Sequence, residues 1–571
     1  MKMRSIFTLF FLSILTIGYA QKKKKEVSAV VEYHSLYNGK PNTERGSTVV
    51  TYHDNLAKVE QVYPYELSEM MKRVTQYSVM DFTQLKTYSI ADIQGKRYHS
   101  VSDYKPNDEV ELTENDTTIL GFKCDKIKFI SFSNTIEVWY TKEAGIKGSP
   151  SYFIKDALVL KTVRNGSSVQ QATSFRKLKS KETKDMDLMP KELGEELDPT
   201  NLRYKAQQGV VTTIDLFKDE KISWGNDIKN PEGEQEQVTY LYGGGTVILK
   251  KVTLPKHDVP CDVFLELEQM SNGDAYDRTG SVFMIRNTDK PSMLDAMKNG
   301  IKTVPAFTDK DGKEYHGMTT QGDFEPAIEL MRFFTPFGVN KFNDKRVLDG
   351  LTWANNTYYK QSISYLEPIL EGEVWIGVFI GNYDKGGHKV SLKMKYYPKE
   401  NKPSTDRKNY WVKPIFNTCN ILEMASQNYP TMFGAGGLKV DVTIPENVSD
   451  IHMHYITTGH GGWGGGDEFN PKENKISVDG KLVYSYTPWR CDCGTYRELN
   501  PASGNFWNGE SSSDLDRSGW CPGTVTNPVQ TPLNISTGKH QFEVQIPQGE
   551  PAGGYSISSW CVSGVLIGEV K

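Results

Sequence analysis

The segment Leu438-Lys-Val-Asp-Val-Thr-Ile444 alternates apolar and polar side chains along its whole length. A period of two places the apolar side chains on one face of an extended chain, which is typical of an antiparallel strand. Short β-rich runs recur on both sides of this segment, and helical patterns are nearly absent. The runs include residues 27–33, 136–140, 246–254, 373–380, 389–396, 451–456, 540–546 and 555–564. The sequence therefore predicts an all-β protein, with one short helix at 65–74, where good helix formers cluster.

The length of 571 residues exceeds what one hydrophobic core usually organises, so we expect roughly two to four domains. Two polar, proline-bearing stretches interrupt the strand patterns, and they mark the boundaries between domains. The lengths between them fit a β-rich accessory domain followed by two successive β-sandwiches of jelly-roll size. The expected divisions are an accessory domain at 21–178, a charged linker at 179–208, and jelly-roll domains at 209–398 and 408–571.

The first 20 residues have the layout of a Sec-type signal peptide. A Lys/Arg-bearing start precedes the apolar stretch 6–17, and Gly18-Tyr19-Ala20 stands before a polar run; an uncleaved anchor is the alternative. No later segment is apolar over a membrane-spanning length, and a net charge of -4 offers no basic surface to nucleic acid or anionic lipid. We therefore expect an exported bacterial protein, secreted or periplasmic, that is monomeric and binds neither nucleic acid nor membrane.

Seven cysteines stand in the sequence, at 124, 261, 419, 491, 493, 521 and 561. An exported chain meets oxidising conditions, so disulfides are allowed, and an odd number leaves at least one thiol over or pairs it between chains. Four of the seven fall from Cys491 onward, where we expect any disulfides to be concentrated. A zinc site built from Cys491, Cys493 and Cys521 is disfavoured, because the spacing departs from the usual ligand pairs.

Residues 271–278, SNGDAYDR, form the first of three loops whose side chains suit chemistry. Asp274 and Asp277 stand beside Arg278, where a rigid β scaffold can present them. The adjacent guanidinium would favour ionised aspartate, which suits a general base better than a proton donor. A solvated Gly-Asp turn is the alternative explanation of the same residues.

The second loop, residues 459–468, carries six glycines in ten positions and so allows the backbone to approach a ligand closely. It lacks the Lys-Ser/Thr pair of a phosphate loop, which disfavours nucleotide binding. Trp463 offers a flat apolar face for a sugar ring, and Asp467 and Glu468 are candidate polar contacts. A flexible glycine connector would explain the composition equally well.

The third loop, residues 514–523, combines Arg517, Trp520 and Cys521 with a following Pro-Gly pair. Arg517 could pair with a buried carboxylate or donate to an oxyanion. A structural Arg-Asp pair within the loop explains the same residues about as well.

The three loops resemble, in order, those of the flavobacterial peptide-N-glycosidase F family of peptide-N4-(N-acetyl-β-glucosaminyl)asparagine amidases. The resemblance runs from residue 209 to the C terminus and includes residues 213–217, 332–336, 475–480 and 555–559; the layout is similar to longer members with an extra N-terminal domain. It implies two eight-stranded jelly rolls with the active site in the cleft between them. It also implies a hydrolase that needs no cofactor and releases intact N-linked glycans from glycoproteins or glycopeptides, converting the glycosylated Asn to Asp.

The resemblance assigns roles to individual residues. Asp277, the aspartate of the Asp-Arg pair, corresponds to the main catalytic group, Glu468 to the second-domain glutamate, and Arg517 to the arginine of the Trp-Cys-Pro-Gly string. Residues 379–383, FIGNY, lack the first-domain glutamate that the family carries in this stretch. The predicted substrate-binding residues are Asp274, Tyr276, Arg278, His460, Trp463 and Trp520.

Two functions of other classes compete with the amidase. Paired jelly rolls also resemble copper-dependent monooxygenases of the peptidylglycine hydroxylase type, and His452 and His454 share one face of a predicted strand. A second set of three histidines is missing, however, so we expect no metal. A non-catalytic glycan-binding protein would fit the aromatic residues but not the acid-arginine loop. Glycan release from a denatured glycoprotein, with and without a chelator, separates the three.

Overall fold

The computed structural model describes residues 27–104, 111–148, 154, 157–225, 228–286, 288–404, 408–462, 466–549 and 558–571. The predicted signal peptide and Trp463 lie outside the described residues. The chain divides into two compact units, one formed by residues up to Glu66 with Arg73–Gly209, the other by Leu67–Lys72 with Val210–Lys571. Both units consist mainly of strands, which confirms the all-β prediction. Among the described residues, every helix is too short or too polar to cross a membrane.

The N-terminal unit is built on one sheet, which has thirteen strands within the described residues. The strands are β1 Ala29–Tyr37, β2 Lys40–Pro41, β3 Ser47–His53, β4 Leu56–Val62, β5 Val74–Asp81, β6 Lys86–Ile93, β7 Lys96–Asp103, β8 Glu111–Ile119, β9 Phe122–Ser131, β10 Asn134–Thr141, β11 Leu158–Arg164, β12 Ser168–Lys177 and β13 Glu195–Glu196. Their order across the sheet is β13-β7-β6-β5-β4-β3-β1-β12-β11-β10-β9-β8, and β2 pairs with β1. Strand β13 pairs with β7 in parallel, and the other pairs are antiparallel. Strand β1 lies between β3 and β12 and so connects the first strands of the sheet to the later ones.

The helices of the chain are short. Those of α type in the described residues are α1 Ser180–Thr183, α2 Pro199–Gly209 and α3 Met293–Asn299. The helix predicted at 65–74 is wrong, since this stretch forms only a 3-10 turn at Met71–Arg73.

The stretch 179–208 differs from the expected linker, because its second half is ordered against the sheet. Helix α2 begins at a capped end, where Asp198 Oδ1 accepts the backbone N–H groups of the following residues and Pro199 occupies the first turn. Leu202 and Ala206, one helical turn apart, are buried against side chains of β6 and β7. Two apolar residues at this spacing are enough to pack one face of a short helix against the sheet. The many charged residues of the stretch favoured the prediction of a linker and concealed this helix.

The second unit holds two successive β-sandwiches. The strands of the first are β14 Thr212–Ile222, β15 Thr239–Tyr242, β16 Val247–Leu254, β17 Cys261–Ser271, β18 Thr279–Ile285, β19 Ala306–Thr308, β20 Glu314–His316, β21 Ile328–Phe334, β22 Thr357–Ser362, β23 Gly372–Ile380 and β24 His388–Pro398. One sheet has the order β14-β24-β17-β22, and the facing sheet has the order β15-β16-β23-β18-β21. The apolar faces of the two sheets enclose a continuous core, to which Met70 also belongs.

The second sandwich pairs the sheets β25-β33-β27-β31 and β26-β32-β28-β29, which gives the eight strands implied by the resemblance within the described residues. Its strands are β25 Asn409–Asn417, β26 Leu438–Ile444, β27 Val448–His460, β28 Asn474–Val478, β29 Lys481–Tyr486, β30 Val525–Thr526, β31 Val529–Pro532, β32 Gly538–Gln545 and β33 Ser559–Val570. The remaining strand, β30, pairs with β21 and so extends a sheet of the first sandwich.

A buried ion pair also joins the two sandwiches. Arg332 on β21 donates through Nε and Nη2 to both carboxylate oxygens of Glu329, at 2.6 and 2.7 Å. Its Nη1 reaches the second sandwich, at Thr458 Oγ1 (2.8 Å) and the carbonyl of Cys561 (3.0 Å). Because both charged side chains are fully buried, removing one partner would leave the other uncompensated. The contact fixes β21 against β27 and β33, and two residues of the candidate site follow these strands, Thr335 after β21 and Glu468 after β27.

Candidate active site

Asp277 is held at a fixed place between β17 and β18 by hydrogen bonds to its two neighbours. Thr335 Oγ1, which is fully buried, accepts the backbone N–H of Arg278 at 2.8 Å and donates to the carbonyl of Tyr276 at 3.2 Å. The backbone N–H of Thr335 also donates to the carbonyl of Arg278 at 2.9 Å. The peptide groups on either side of Asp277 are thus fixed to the end of β21.

Arg517 connects the carboxylates of both sandwiches. Its Nη2 donates to Asp277 Oδ2 at 3.2 Å, and its Nε donates to Glu468 Oε1 at 2.9 Å. The other N–H groups donate to the carbonyls of Ser512 (2.7 Å) and Leu515 (3.3 Å) and to Ser512 Oγ (3.3 Å). The structure therefore brings together the three residues predicted to be catalytic.

The same contacts change the expected role of Arg517. A guanidinium has five N–H donors, and here each has a partner while the side chain is 0% exposed. The expectation that Arg517 could donate to an oxyanion is therefore corrected, because a new acceptor would have to displace an existing bond. Its geometry is that of a positioning residue, which holds Asp277 and Glu468 at one charged centre.

Asp277 has the electrostatics of a group that exchanges a proton near neutral pH. Burial raises its pKa to about 7; the positive charges of Arg517 and Arg278 oppose this shift, and the negative charge of Glu468 adds to it. The Asp277 side chain is 15% exposed, so a ligand or water can still reach it. A carboxyl with this pKa is suited to general acid–base catalysis at the pH of most exported enzymes.

Asp274, three residues earlier, has the opposite electrostatics. Burial on its own would raise its pKa, but the interactions with His388 and Arg278 outweigh burial and hold the pKa well below its usual range. Arg278 donates to both carboxylate oxygens, at 2.8 and 3.3 Å, and His388 Nε2 lies 3.6 Å from Oδ2. The expectation that Arg278 favours ionised aspartate holds for Asp274, with which the guanidinium pairs; at Asp277 its charge opposes burial, but burial prevails and the pKa is raised.

Asp274 and Trp520 were both expected to bind substrate, and both are buried. Asp274 is enclosed by its ion pair, so it supports the loop that carries Asp277. Trp520 is 3% exposed, stacks on Phe334 with 4.2 Å between ring centroids, and donates its indole N–H to the carbonyl of Gly459 at 3.0 Å. The Arg517 guanidinium lies 4.8 Å above the same ring, so Trp520 is part of the support of the site and offers no face to a sugar.

Tyr276 and Arg278 stand at the open side of the loop. The Tyr276 ring is 61% exposed, and the Arg278 guanidinium lies 5.0 Å from it and 5.2 Å from the ring of Tyr383. His460 is partly exposed, lies 2.8 Å from Thr458 Oγ1, and stacks on Phe334 at 5.8 Å. These side chains are placed where a ligand over Asp277 could meet them.

The glycine-rich loop is anchored by the acid that precedes Glu468. Asp467 is fully buried and accepts the indole N–H of Trp560 at 2.8 Å and the backbone N–H of Gly549 at 3.0 Å. A Cβ on Gly459 would lie 2.8 Å from the carbonyl of Asp467, so only glycine fits at the start of the loop. This anchoring directs the next side chain, Glu468, towards Arg517.

The sequence analysis missed Glu423, a partly buried acid in the 3-10 turn Glu423–Ala425. A Cβ on Gly381 would lie 2.8 Å from Glu423 Oε1, which places this second-sandwich acid against the segment 379–383 that lacks the family's glutamate. Burial raises the pKa of Glu423 to about 7, and the nearby hydroxyls of Tyr383 and Tyr429 are 2.7 Å apart. The packing of the two sandwiches places Glu423 there. No local sequence pattern distinguishes this residue, so the sequence analysis could not find it.

A disulfide crosslinks the loop that carries Arg517 to the preceding segment of the chain. Cys493 and Cys521 are bonded, while Cys491 is an exposed free thiol. The backbones of Arg490 and Arg517 also exchange hydrogen bonds at 2.8 and 3.0 Å. A zinc site formed by Cys491, Cys493 and Cys521 is therefore excluded, because two of these three sulfurs are bonded to each other.

The histidine pair that suggested copper is also accounted for. His452 and His454 do face one cavity, but the His454 ring is stacked on Tyr365 at 4.0 Å, and burial lowers its pKa to about 4. In the part of the chain that the structure describes, no third His, Cys, Asp or Glu completes a metal-sized group with them. The geometry gives the monooxygenase alternative no support.

Three family profiles match the chain. They are "Peptide-N-glycosidase F, N terminal" at residues 213–396, "Peptide-N-glycosidase F, C terminal" at 428–567, and "N-glycanase peptide, N-terminal domain" at 31–205. No match was found among curated proteins.

Solved structures include similar chains. The structure of PNGF-II in the P21 space group is 40% identical, with 95% of this chain and 100% of that chain covered and a TM-score of 0.80. The structure of PNGF-II in the C2 space group is 40% identical, with 95% and 98% covered and a TM-score of 0.74. PNGase F, a glycosylasparaginase from Flavobacterium meningosepticum, is 16% identical, with 63% and 96% covered and a TM-score of 0.42. On the identity and coverage of the PNGF-II match, this chain belongs to the peptide-N-glycosidase F family.

Proposed function

We propose that the chain is a peptide-N4-(N-acetyl-β-glucosaminyl)asparagine amidase, which cleaves the amide between an asparagine side chain and the first N-acetylglucosamine. The observation that carries the proposal is the group formed by Asp277, Arg517 and Glu468 where the two sandwiches meet. One carboxyl with a pKa near neutrality and a second carboxylate are held by a single buried guanidinium. Membership of the family supplies the substrate class, N-glycosylated proteins or peptides.

Asp277 is the proposed catalytic acid and base. Its carboxylate takes a proton from a water molecule as the water oxygen adds to the side-chain carbonyl carbon. The same proton is then delivered to the amide nitrogen as the carbon–nitrogen bond breaks. The products are a peptide in which Asp replaces Asn and a glycan that ends in a glycosylamine. A pKa of about 7 allows both transfers without a large energetic penalty in either direction.

Glu468 is the proposed partner that orients water or the peptide side of the substrate. Arg517 donates a hydrogen bond to each of the two carboxyl groups and so holds them in place, which is why we assign it a positioning role. Tyr276, Tyr383 and Arg278 form the exposed wall against which the first sugars would lie. Glu423 adds an acidic group to this wall. We propose that it takes the place of the glutamate that the family carries in the segment 379–383 and that this chain lacks.

The predicted signal peptide supports export of the enzyme, so its proposed substrates are glycoproteins outside the cytoplasm. We further propose that it acts as a monomer without a cofactor.

The position of the cleaved bond tests the proposal against an endoglycosidase, which would cut between the two core sugars. A glycopeptide is digested in heavy-oxygen water and analysed by mass spectrometry. An amidase leaves Asp with one heavy oxygen in its side-chain carboxyl, and the Asp277→Asn variant should leave the glycopeptide intact. A product that retains one N-acetylglucosamine on an unchanged Asn would overturn the assignment.

A further inference from the structure

A second cavity, of about 550 Å³, opens beside the loop that carries Arg517. Its volume lies within the ~300–1,000 Å³ typical of small-molecule sites. It is formed by β22, the end of β29 and the residues around β30, and none of its lining side chains belongs to the group around Asp277. The lining residues used in the argument below include Tyr358, Lys360, Tyr486, Arg490, Asp492 and Asn527.

The cavity presents an oriented carboxylate. Arg490 donates through Nε and Nη2 to the two oxygens of Asp492, at 2.8 and 2.6 Å, and through Nη1 to Thr524 Oγ1 at 3.2 Å. The hydrogen bond from Arg490 lowers the pKa of Asp492, while the Asp492 side chain remains 45% exposed. The hydroxyl of Tyr496 also donates to Asp492 Oδ2, at 3.3 Å. The result is an ionised acceptor, fixed in direction, whose Oδ1 keeps a lone pair for a hydroxyl donor of a ligand.

Tyrosine rings make up much of the rest of the lining, which carries no unpaired positive charge. The ring of Tyr358 is 59% exposed, and those of Tyr486 and Tyr496 are half-buried, so flat faces are available. The two cations of the lining are both engaged, Arg490 by Asp492 and Lys360 by Glu266 at 3.2 Å. An anionic ligand such as a phosphate would meet Asp492 without a free cation to compensate. A neutral polyol with apolar C–H faces suits the combination of tyrosine rings and an acceptor carboxylate.

We infer that this cavity is a subsite for neutral sugar residues, specifically those of the outer part of the N-glycan whose core is cleaved at Asp277. This inference rests on the proposed function. Gly519 and Gly523, in the loop that carries Arg517, form one wall, and the backbone of Arg490 pairs with that of Arg517 at 2.8 and 3.0 Å. The loop that positions the catalytic carboxylates is thus also a wall of the cavity.

Tyr486→Ala and Asn527→Ala test the inference, because both side chains line the cavity and neither bonds to Arg517. With a glycopeptide bearing a complete oligomannose glycan, each variant should lose about fivefold to tenfold in kcat/KM, as expected for one lost stacking or polar contact. With a glycopeptide that carries chitobiose alone, kcat/KM should remain within about twofold of wild type. Tyr37→Ala, which removes an exposed tyrosine of the N-terminal unit, is the matched control.

A binding measurement separates this inference from the proposed function. Saturation-transfer NMR with a free oligomannose glycan should show contact in wild type and in Asp277→Asn, and weaker contact in Tyr486→Ala and Asn527→Ala. If wild type cleaves neither glycopeptide, the proposed amidase fails, and the NMR comparison still decides the subsite. Equal effects of the cavity variants on both glycopeptides, or glycan contact that survives both substitutions unchanged, would overturn it.

Discussion

Replacing Asp277 by Asn should abolish glycan release and, at alkaline pH, stabilise the fold. The amide resembles a carboxyl that is permanently protonated, so it keeps the shape of the side chain and removes its titration. Activity is lost because no proton can be taken up or delivered at this position. Stability is gained because the burial that raises the pKa of Asp277 to about 7 is a cost of ionising it in the folded protein.

The size of the stability effect follows from the pKa. In the unfolded chain the carboxyl ionises near 3.8, whereas in the folded protein it ionises at about 7. At about 1.4 kcal/mol per pH unit, this difference corresponds to about 4 kcal/mol. The side chain retains some exposure, and solvent screening reduces the figure to about 2–4 kcal/mol. Because the pKa of Asp277 is raised in the folded protein, ionising this carboxyl lowers the free energy of unfolding. The protein keeps its full stability below pH 4 and loses about this amount as the pH rises through 7.

The assay is urea unfolding of wild type and Asp277→Asn at pH 4 and pH 8, with glycan release measured in parallel. The variant should match the wild type near pH 4 and exceed it by about 2–4 kcal/mol at pH 8. Asp274→Asn is the matched control, since the lowered pKa of Asp274 gives the opposite sign: this variant should be destabilised at neutral pH, and its deficit should shrink as the pH falls. Identical pH dependence in wild type and Asp277→Asn, or substantial turnover by that variant, would refute the reasoning.

Four further predictions concern the support of the site. Thr335→Val removes the hydroxyl that clamps the loop and should lower kcat by about tenfold to 100-fold with KM little changed, whereas Thr335→Ser should restore it; steady-state kinetics decide. Glu468→Gln should reduce kcat/KM less than Asp277→Asn does, because a positioning contact loses less than a proton carrier, and equal losses would contradict that ranking. Glu423→Gln should raise the melting temperature at pH 8 and leave it nearly unchanged at pH 4, since burial raises the pKa of this carboxyl as well. Cys493→Ser opens a disulfide with a sequence separation of 28 residues and should cost roughly 3–4 kcal/mol of unfolding free energy; a reductant should mimic it in wild type and have no effect in the variant.

The strands could be predicted from the sequence because their signal is local. In Leu438–Ile444 every second side chain is buried in the structure, as its alternation indicates. The three loops could be found because the residues of each are contiguous in the sequence. The Trp-Cys-Pro-Gly string is specific by itself, whereas the Asp-Arg loop becomes specific only through its place in the family pattern. Helix α2 was missed because only two of its apolar positions face the sheet, and a charged composition hides so short a pattern.

The partners within the site could not be predicted, because burial and long-range packing determine them. The sequence places Arg278 next to Asp277, yet the side chain turns to Asp274. Glu423 comes from a turn without any motif and reaches Gly381 only through the packing of two sandwiches. From the sequence, Trp520 was predicted to stack on a sugar, whereas in the structure its indole N–H is hydrogen-bonded inside the protein.

The contrast between Asp274 and Asp277 explains how one short loop can provide both rigidity and proton exchange. Asp274 accepts two bonds from Arg278 and remains ionised, so it fixes the loop at any pH at which the enzyme works. Asp277 has a single, longer bond to Arg517, which must also satisfy Glu468, and burial prevails over that attraction. A second strong cation at Asp277 would lower its pKa and leave it a poor proton acceptor near neutrality. Sharing one guanidinium between the carboxylates of two sandwiches therefore keeps Asp277 reactive, and it makes that reactivity depend on the sandwiches staying packed together.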